Sequence, residues 1–341
     1  MATNSDNYQF GMLASDDVRT GFISGVTFRN KPVQYSVVDG LAVFEGCIVL
    51  GTVEQMEARV AAVRAAQQAG DEGAIELGVG ITGAQYRWPN ALVPYDIDPA
   101  MPNQSRVTDA IAHWEQHTNI RFVHRTAGNA GQYPDYVHFM AGSGCWSYVG
   151  MQGGKQDISL AGGCSTGNAI HEIGHALGLW HEQSREDRDS HIVVHWDNIQ
   201  SGREHNFNQH ITDGDDYGSY DYGSIMHYPG TAFSKNGQPT ITTLPPGIAI
   251  GQRNALSDHD IATIHAMYTT WHGNKAVLKT YSTHHAQNAW AYLQDLGWRK
   301  VETGSADGIT NTFLALCDAQ ANNRNVSVYA DGNKLYRMYL L

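Results

Sequence analysis

The chain has 341 residues, 42% hydrophobic and 16% charged, which is room for two or three globular domains. Its formal net charge of −12 argues against a nucleic-acid partner, which needs a basic face. No apolar run approaches the roughly 18 residues of a membrane-spanning helix, so no membrane partner is expected either. The opening MATNSDNYQFGMLASDD has no basic region followed by an apolar core, and no signal peptide is expected there.

Residues 20–50 alternate apolar and polar and predict short strands with a turn at Asp39-Gly40. TVEQMEARVAAVRAAQQAG then predicts a helix with Val53, Met56, Val60 and Val63 on one face and Gly70 as its stop. Residues 70–83 are Gly-rich and acidic, the composition of an exposed, protease-sensitive linker. YRWPNALVPYDID predicts a strand, and SRVTDAIAHWEQHT an amphipathic helix burying Val107, Ile111 and Trp114. IRFVHRT and DYVHFMAG predict strands, and TGNAIHEIGHALGLWH a helix. A long polar stretch follows, and residues 257–268 close the block as a helix with Ser257 as N-cap. Residues 272–341 read as a separate small α+β module. Its strands are NAWAYL and WRKVE, its helix GITNTFLALCDAQANN, and its hairpin VSVYADGNKLYRMYL turns on Asp331-Gly332-Asn333.

Cysteines stand at 47, 145, 164 and 317, and the sequence alone does not choose among their pairings. Cys145 and Cys164 are the natural pair, because they bracket a Gly-rich loop that a bridge would tie down. Such a bridge contributes about 3 kcal/mol by the chain-entropy estimate and implies an oxidising compartment. Cys317 falls on the apolar face of its helix and reads as a buried free thiol. Cys47 has three readings: a buried thiol, half of a disulfide, or a metal ligand.

The run AIHEIGHALGLWHEQSREDRD, residues 169–189, carries the chemistry. His171 and His175, four apart on a helix, face the same way and can bind one ion. Glu172 lies beside them as a base for water. Gly178 permits a sharp turn after which His181 swings back as a third ligand. Three imidazoles with an open fourth position mark catalytic rather than structural zinc, one ion per chain. The remaining histidines, among them His205, His210, His227 and His265, read as surface or packing residues.

This run resembles the zinc signature of the astacin metalloendopeptidases, a branch of the metzincins, and Glu182 after the third His is the astacin choice. The resemblance covers roughly residues 80–270 and includes YDYGSIMHYPG (220–230) and SGCWSYVG (143–150). It implies an α+β fold: a two-lobed metzincin protease domain (81–271) with an active-site cleft, an N-terminal propeptide (1–80) and the C-terminal module. Met226 is then the apolar floor beneath the zinc. Tyr228 is a weak extra ligand that swings to bind the oxyanion. Trp146, Ser147 and Tyr148 lie on an edge strand that holds substrate by main-chain hydrogen bonds. Taken singly, Met226 is core filler and Tyr228 an ordinary half-buried aromatic. A second disulfide of animal members is missing, since Asn119 and Thr270 occupy its two places. Bacterial members with an added C-terminal module are the nearest comparison.

The expected function is a secreted or exported zinc endopeptidase, monomeric, acting on proteins or peptides and needing an activating protease. Glu172 is base and then acid, and Tyr228 steadies the oxyanion. IGQRNALSD (250–258) resembles the pocket segment of members that cut before Asp or Glu, with Arg253 as the carboxylate's partner. The plain alternative is a surface Arg capping a nearby carboxylate. Astacin precursors place the Asp of a Phe-x-Gly-Asp motif on the zinc; here Phe44-Glu45-Gly46-Cys47 matches, so a thiolate takes that place as a latent-form ligand. Phe44 is expected to anchor in a neighbouring subsite, and Gly46 to let the backbone approach the metal. A cut near 78–82 would release the segment and let the new N-terminus reach Glu182. Against the switch stand a Cys47–Cys317 disulfide and an idle thiol. Against the enzyme stand a catalytically weak zinc-containing binding protein and a zinc amidase.

Overall fold

The computed structural model describes residues 11–24, 28–69, 79–80, 84–209, 218–285, 288–303, 305–331 and 334–341. Most of the expected 70–83 linker, with its cut at 78–82, lies outside the described residues, as do His210, Gly332 and Asn333. The chain divides into two units. The first takes in the chain to residue 263 apart from 89–91 and 118–121; the second holds those two segments and 264–341.

The N-terminal strands are β1 (Val18–Ser24), β2 (Lys31–Val38), β3 (Leu41–Phe44) and β4 (Ile48–Thr52), each antiparallel to the next. Val38 faces Leu41, so Asp39 and Gly40 are a two-residue loop, with φ of 50° and 79°. Positive φ at both positions matches the right-handed twist of the flanking strands. Helix α1 (Val53–Ala69) starts in a capping box: the Gln55 N–H donates to Thr52 Oγ1 and the Thr52 N–H to Gln55 Oε1. Its Met56 and Val63 are fully buried, and Met56 joins Ile23, Tyr35, Phe44, Ile48 and Leu50 in one core. Each such side chain contributes roughly 1.5–3 kcal/mol of burial.

The chain continues through β5 (Val79–Gly80), β6 (Leu92–Ile97), α2 (Ser105–His117), β7 (Arg121–His124), β8 (Tyr136–Met140), β9 (Cys145–Tyr148), β10 (Lys155–Leu160) and α3 (Thr166–Ala176). Ten strands form one sheet, ordered β5-β1-β2-β3-β4-β9-β10-β8-β6-β7. The N-terminal meander joins it where β4 runs parallel to β9, Ile48 opposite Ser147 and Val49 opposite Tyr148. Helix α2 buries Val107, Ile111 and Trp114 as its periodicity predicts, and the Trp114 indole N–H donates to Ile170 O on α3 at 3.1 Å. The long polar stretch condenses into short 3-10 turns and β11 (Ile192–Val194), which pairs with β12 (Ile241–Thr243). Helix α4 (Asp258–Tyr268) begins at its expected Ser257 cap, which accepts from the Asp260 N–H.

Cys145 and Cys164 are joined in a disulfide, and Cys47 and Cys317 are free. The bridged loop has a second brace that spacing could not reveal. Arg106 of α2 donates to the carbonyls of Leu160, Ala161 and Cys164 at 2.6–2.7 Å.

The second unit is a closed barrel, ordered β13-β14-β15-β17-β16, built from β13 (Thr270–Ser282), β14 (Ala289–Leu293), β15 (Gly297–Val301), helix α5 (Ala306–Ala321), β16 (Asn325–Ala330) and β17 (Lys334–Leu340). Strand β13 has no clean sequence alternation, because its register shifts between His272 and Lys275, around Gly273 and Asn274. Helix α5 lends Ile309, Leu316 and Ala319 to the barrel core. Cys317 is half-buried rather than buried, because it sits a residue beyond Leu316 and so on the flank of that face.

Replacing Cys145 and Cys164 together by Ser should lower stability by about 3 kcal/mol, read from urea unfolding of the oxidised protein and the double variant. Arg106→Met should cost a similar amount, about 3 kcal/mol, because three carbonyls lose a charged donor at once. A shift of less than 1 kcal/mol for either (about the value of one ordinary hydrogen bond) would show that the loop stands without that brace.

Candidate metal centre and cleft

Helix α3 is capped at its start by Ser165, whose side chain accepts from the Asn168 N–H while Asn168 Oδ1 accepts from the Ser165 N–H. At its end the Leu179 N–H donates to Gly174 O and the Gly178 N–H to His175 O, with Gly178 at φ 104°. This paired reverse bonding closes the last turn and needs the left-handed residue that Gly supplies. The chain then doubles back and brings His181 beside His171 and His175.

The outer nitrogen of each imidazole is tied. His171 Nδ1 bonds Ile225 O, His175 Nδ1 bonds Leu179 O, and His181 Nδ1 bonds Glu45 Oε2, all at 2.8 Å. Those bonds place a proton on each Nδ1 and leave each Nε2 a bare lone pair. Burial holds all three imidazoles well below their usual pKa, hence neutral. The three Nε2 atoms converge with Cys47 Sγ, which lies 3.5, 3.4 and 3.2 Å from His171, His175 and His181, all four atoms within 4.8 Å of one another. A tetrahedral zinc with bonds of about 2.0–2.1 Å to N and 2.3 Å to S sets sulfur and nitrogen about 3.5 Å apart. The four donors fit that ion. Burial pushes the Cys47 thiol well up, and a bound metal reverses this by taking the thiolate.

Cys47 reaches this point on a tight turn between β3 and β4. Glu45 and Gly46 both have positive φ, 44° and 72°. Gly46 is required by its neighbours rather than by approach to a metal: a Cβ there would lie 2.9 Å from the Phe233 ring. Its carbonyl accepts from the Leu13 N–H at 2.6 Å, and the Cys145 N–H donates to Gly11 O at 3.0 Å, so residues 11–13 strap the turn to the disulfide loop. Phe44 is fully buried, with its ring edge-on to Trp180 at 6.1 Å. Most of its surroundings are the N-terminal segment's own core, not a subsite.

Glu172 is buried beside the donors, and burial raises its pKa well above the usual range while the Arg253 charge opposes the shift. Met226 packs beneath them: a Cβ on Gly174 would come 2.8 Å from its sulfur, so only Gly lets this floor close on α3 between the two ligands. Tyr228 is wholly buried rather than half-buried, and its hydroxyl donates to Glu45 O at 2.6 Å. Strand β9 is not a free edge here. Trp146 and Ser147 are buried, Tyr148 is partly so, and the Ser147 N–H donates to Cys47 O at 3.0 Å. Among the described residues Arg253 caps no carboxylate. It donates to the carbonyls of His227 and Gln252 at 3.1 and 2.9 Å, and its buried Nε has no partner among the described residues. Glu182 accepts from the Asp221 N–H at 2.7 Å, and burial pushes its pKa up to about 8. His205 and His227 are buried packing residues and His265 is half-buried; none belongs to the cluster.

Two carboxylates of the site were invisible to pattern reading. Asp260 accepts from the Ser224 hydroxyl and the N–H groups of Ile225 and Ser257 at 2.6–2.9 Å, and so fixes the carbonyl that orients His171. Its signal was the Ser257-x-x-Asp260 capping pattern, which announces the helix but not this second use. Glu45 had no signal beyond its neighbours.

The chain is similar in sequence to known proteins. Blastula protease 10 of Paracentrotus lividus is 48% identical over 193 residues, 53% of this chain and 32% of the relative. Zinc metalloproteinase nas-13 of Caenorhabditis elegans is 41% identical over 187 residues, 53% of this chain and 41% of the relative. The chain therefore matches well under two thirds of these relatives' lengths. Among solved structures, high choriolytic enzyme 1, a hatching enzyme zinc-protease from Oryzias latipes, aligns with a TM-score of 0.49 at 38% identity, covering 53% of this chain and 92% of that one. The profile of the Astacin family (Peptidase family M12A) matches residues 80–269, more than half the chain, and the protein belongs to that family.

Proposed function

We propose that the chain is a zinc-dependent endopeptidase made in a latent form, with residues 1–80 as propeptide, 81–271 as catalytic domain and 272–341 as an accessory module. The observation that carries this reading is the convergence of Cys47 Sγ with the three Nε2 atoms of His171, His175 and His181. Zinc held there supplies a Lewis acid that polarises a scissile carbonyl and makes water acidic near neutral pH. The chain's own residues do the rest. Glu172 takes the proton from the attacking water and delivers it to the leaving nitrogen. Tyr228, once its hydroxyl leaves the Glu45 carbonyl, donates to the developing oxyanion. Strand β9 takes an extended peptide by strand addition, with Trp146, Ser147 and Tyr148 along it.

The N-terminal segment opposes three of these functions in the uncut chain. Cys47 takes the fourth donor place, β4 covers β9, and the Glu45 carbonyl holds Tyr228. A cut in the 70–83 stretch by an activating protease would free all three, and Glu182 would then receive the new N-terminus. The Cys145–Cys164 bridge supports export to an oxidising compartment. The enzyme acts as a monomer on protein or peptide substrates. Arg253, whose buried Nε has no partner among the described residues, suits an acidic side chain just after the cut.

Glu172→Gln should retain one zinc per chain and lose about 10³-fold or more in peptide hydrolysis after activation. Loss of the metal, or undiminished turnover, would remove Glu172 from the mechanism. In the uncut wild type Cys47 should resist alkylation until zinc is chelated, whereas the uncut Cys47→Ala variant stays latent while β4 covers β9. Ready alkylation of Cys47 with zinc still bound would end the thiolate switch. Arg253→Ala should erase any preference for Asp or Glu after the scissile bond in a peptide-library profile; an unchanged profile would move that specificity elsewhere.

A further inference from the structure

We infer that Glu45 is part of the metal centre: the N-terminal segment inserts a carboxylate that orients and polarises His181, so that it retains the metal as well as covering it. This rests on the reading of residues 1–80 as a removable propeptide.

The three imidazoles differ in what holds them. His171 and His175 are oriented by backbone carbonyls, Ile225 and Leu179, which stay with the catalytic domain whatever happens to the N-terminal segment. His181 is oriented by a side chain 136 residues away in sequence, Glu45, at 2.8 Å. Both side chains are fully shielded from solvent. The other Glu45 oxygen accepts from the Ser184 hydroxyl at 2.6 Å, so the carboxylate is fixed at both ends. It is fixed at its root as well, because its main-chain carbonyl accepts from Tyr228 and its own φ is 44°. A non-Gly residue held at positive φ is strained and persists only where its surroundings over-determine it.

A carboxylate on the far nitrogen of a ligating imidazole fixes the tautomer and raises the ligand's basicity, and losing such a partner typically costs 10–100-fold in metal affinity. Departure of the segment removes this acceptor from His181 and from Ser184 together. The uncut chain is thus the form that holds metal most firmly, through Cys47 and independently through Glu45.

The test measures zinc affinity of the uncut protein by chelator competition, and the rise in melting temperature that zinc confers on metal-free protein. Both are read in the Cys47→Ala background, so that the thiolate contributes nothing. Adding Glu45→Ala should weaken zinc about 10–100-fold and shrink the zinc-induced rise, while the metal-free melting temperature falls much less. A packing role alone would lower the metal-free value and leave the affinity in place. If Glu45→Ala does not fold, the isosteric Glu45→Gln carries the test, with severalfold weaker zinc expected because the charge behind His181 is gone. Unchanged affinity in whichever variant folds overturns the inference. The latency reading is judged separately, by whether a cut in the 70–83 stretch raises peptide hydrolysis above that of the uncut chain.

Discussion

Three buried imidazoles, each forced by a hydrogen bond on Nδ1 to aim a bare nitrogen at one point, are the constraint around which the first unit is arranged. A buried acceptor without a donor costs roughly 1–3 kcal/mol, and the single Cys47 S–H can serve only one of the three nitrogens at a time, so a cation at the centre is what would satisfy all of them. The features that look merely local serve that aim. The reverse turn at Gly178 returns the chain so that His181 can join. Gly174 admits Met226 against the helix, and Asp260 holds the Ile225 backbone whose carbonyl turns His171. Each partner is a fixed backbone group or a buried side chain, which makes the donor positions insensitive to solvent.

The N-terminal segment is built to meet this constraint. It is a folded piece with its own core, four antiparallel strands and a helix, rather than a loose strap across the cleft. That solidity explains how a three-residue turn can hold Cys47 and Glu45 against the histidines. Strands β3 and β4 fix the two ends of the turn, and residues 11–13 press it from outside.

The histidine signature and the helix that carries it were legible because they depend on short spacings that physics ties to one geometry, whereas the Met226 segment was legible only through the family resemblance. The α2 face, the Asp39-Gly40 turn and the Ser257 cap were legible for the same reason. Long-range partners were not. Nothing in the letters around Arg106 says that it will clamp three carbonyls more than fifty positions away, nor that Glu45 will find His181. Strand β13 was hidden by a bulge, and the exposure of Cys317 by a difference of one residue on a helix, 100° of rotation.

The parallel seam between β4 and β9 has a bearing on solubility. A sheet edge with unpaired main-chain groups is a template for pairing with any extended chain, including another copy of the same protein. In the intact chain that hazard is absent at β9, because the ten-stranded sheet runs straight through it. Taking away the first strands would bare the β9 edge, which is both what a peptide needs for docking and what neighbouring molecules need for stacking. On this ground a chain lacking those strands should associate more readily at high concentration than the intact chain.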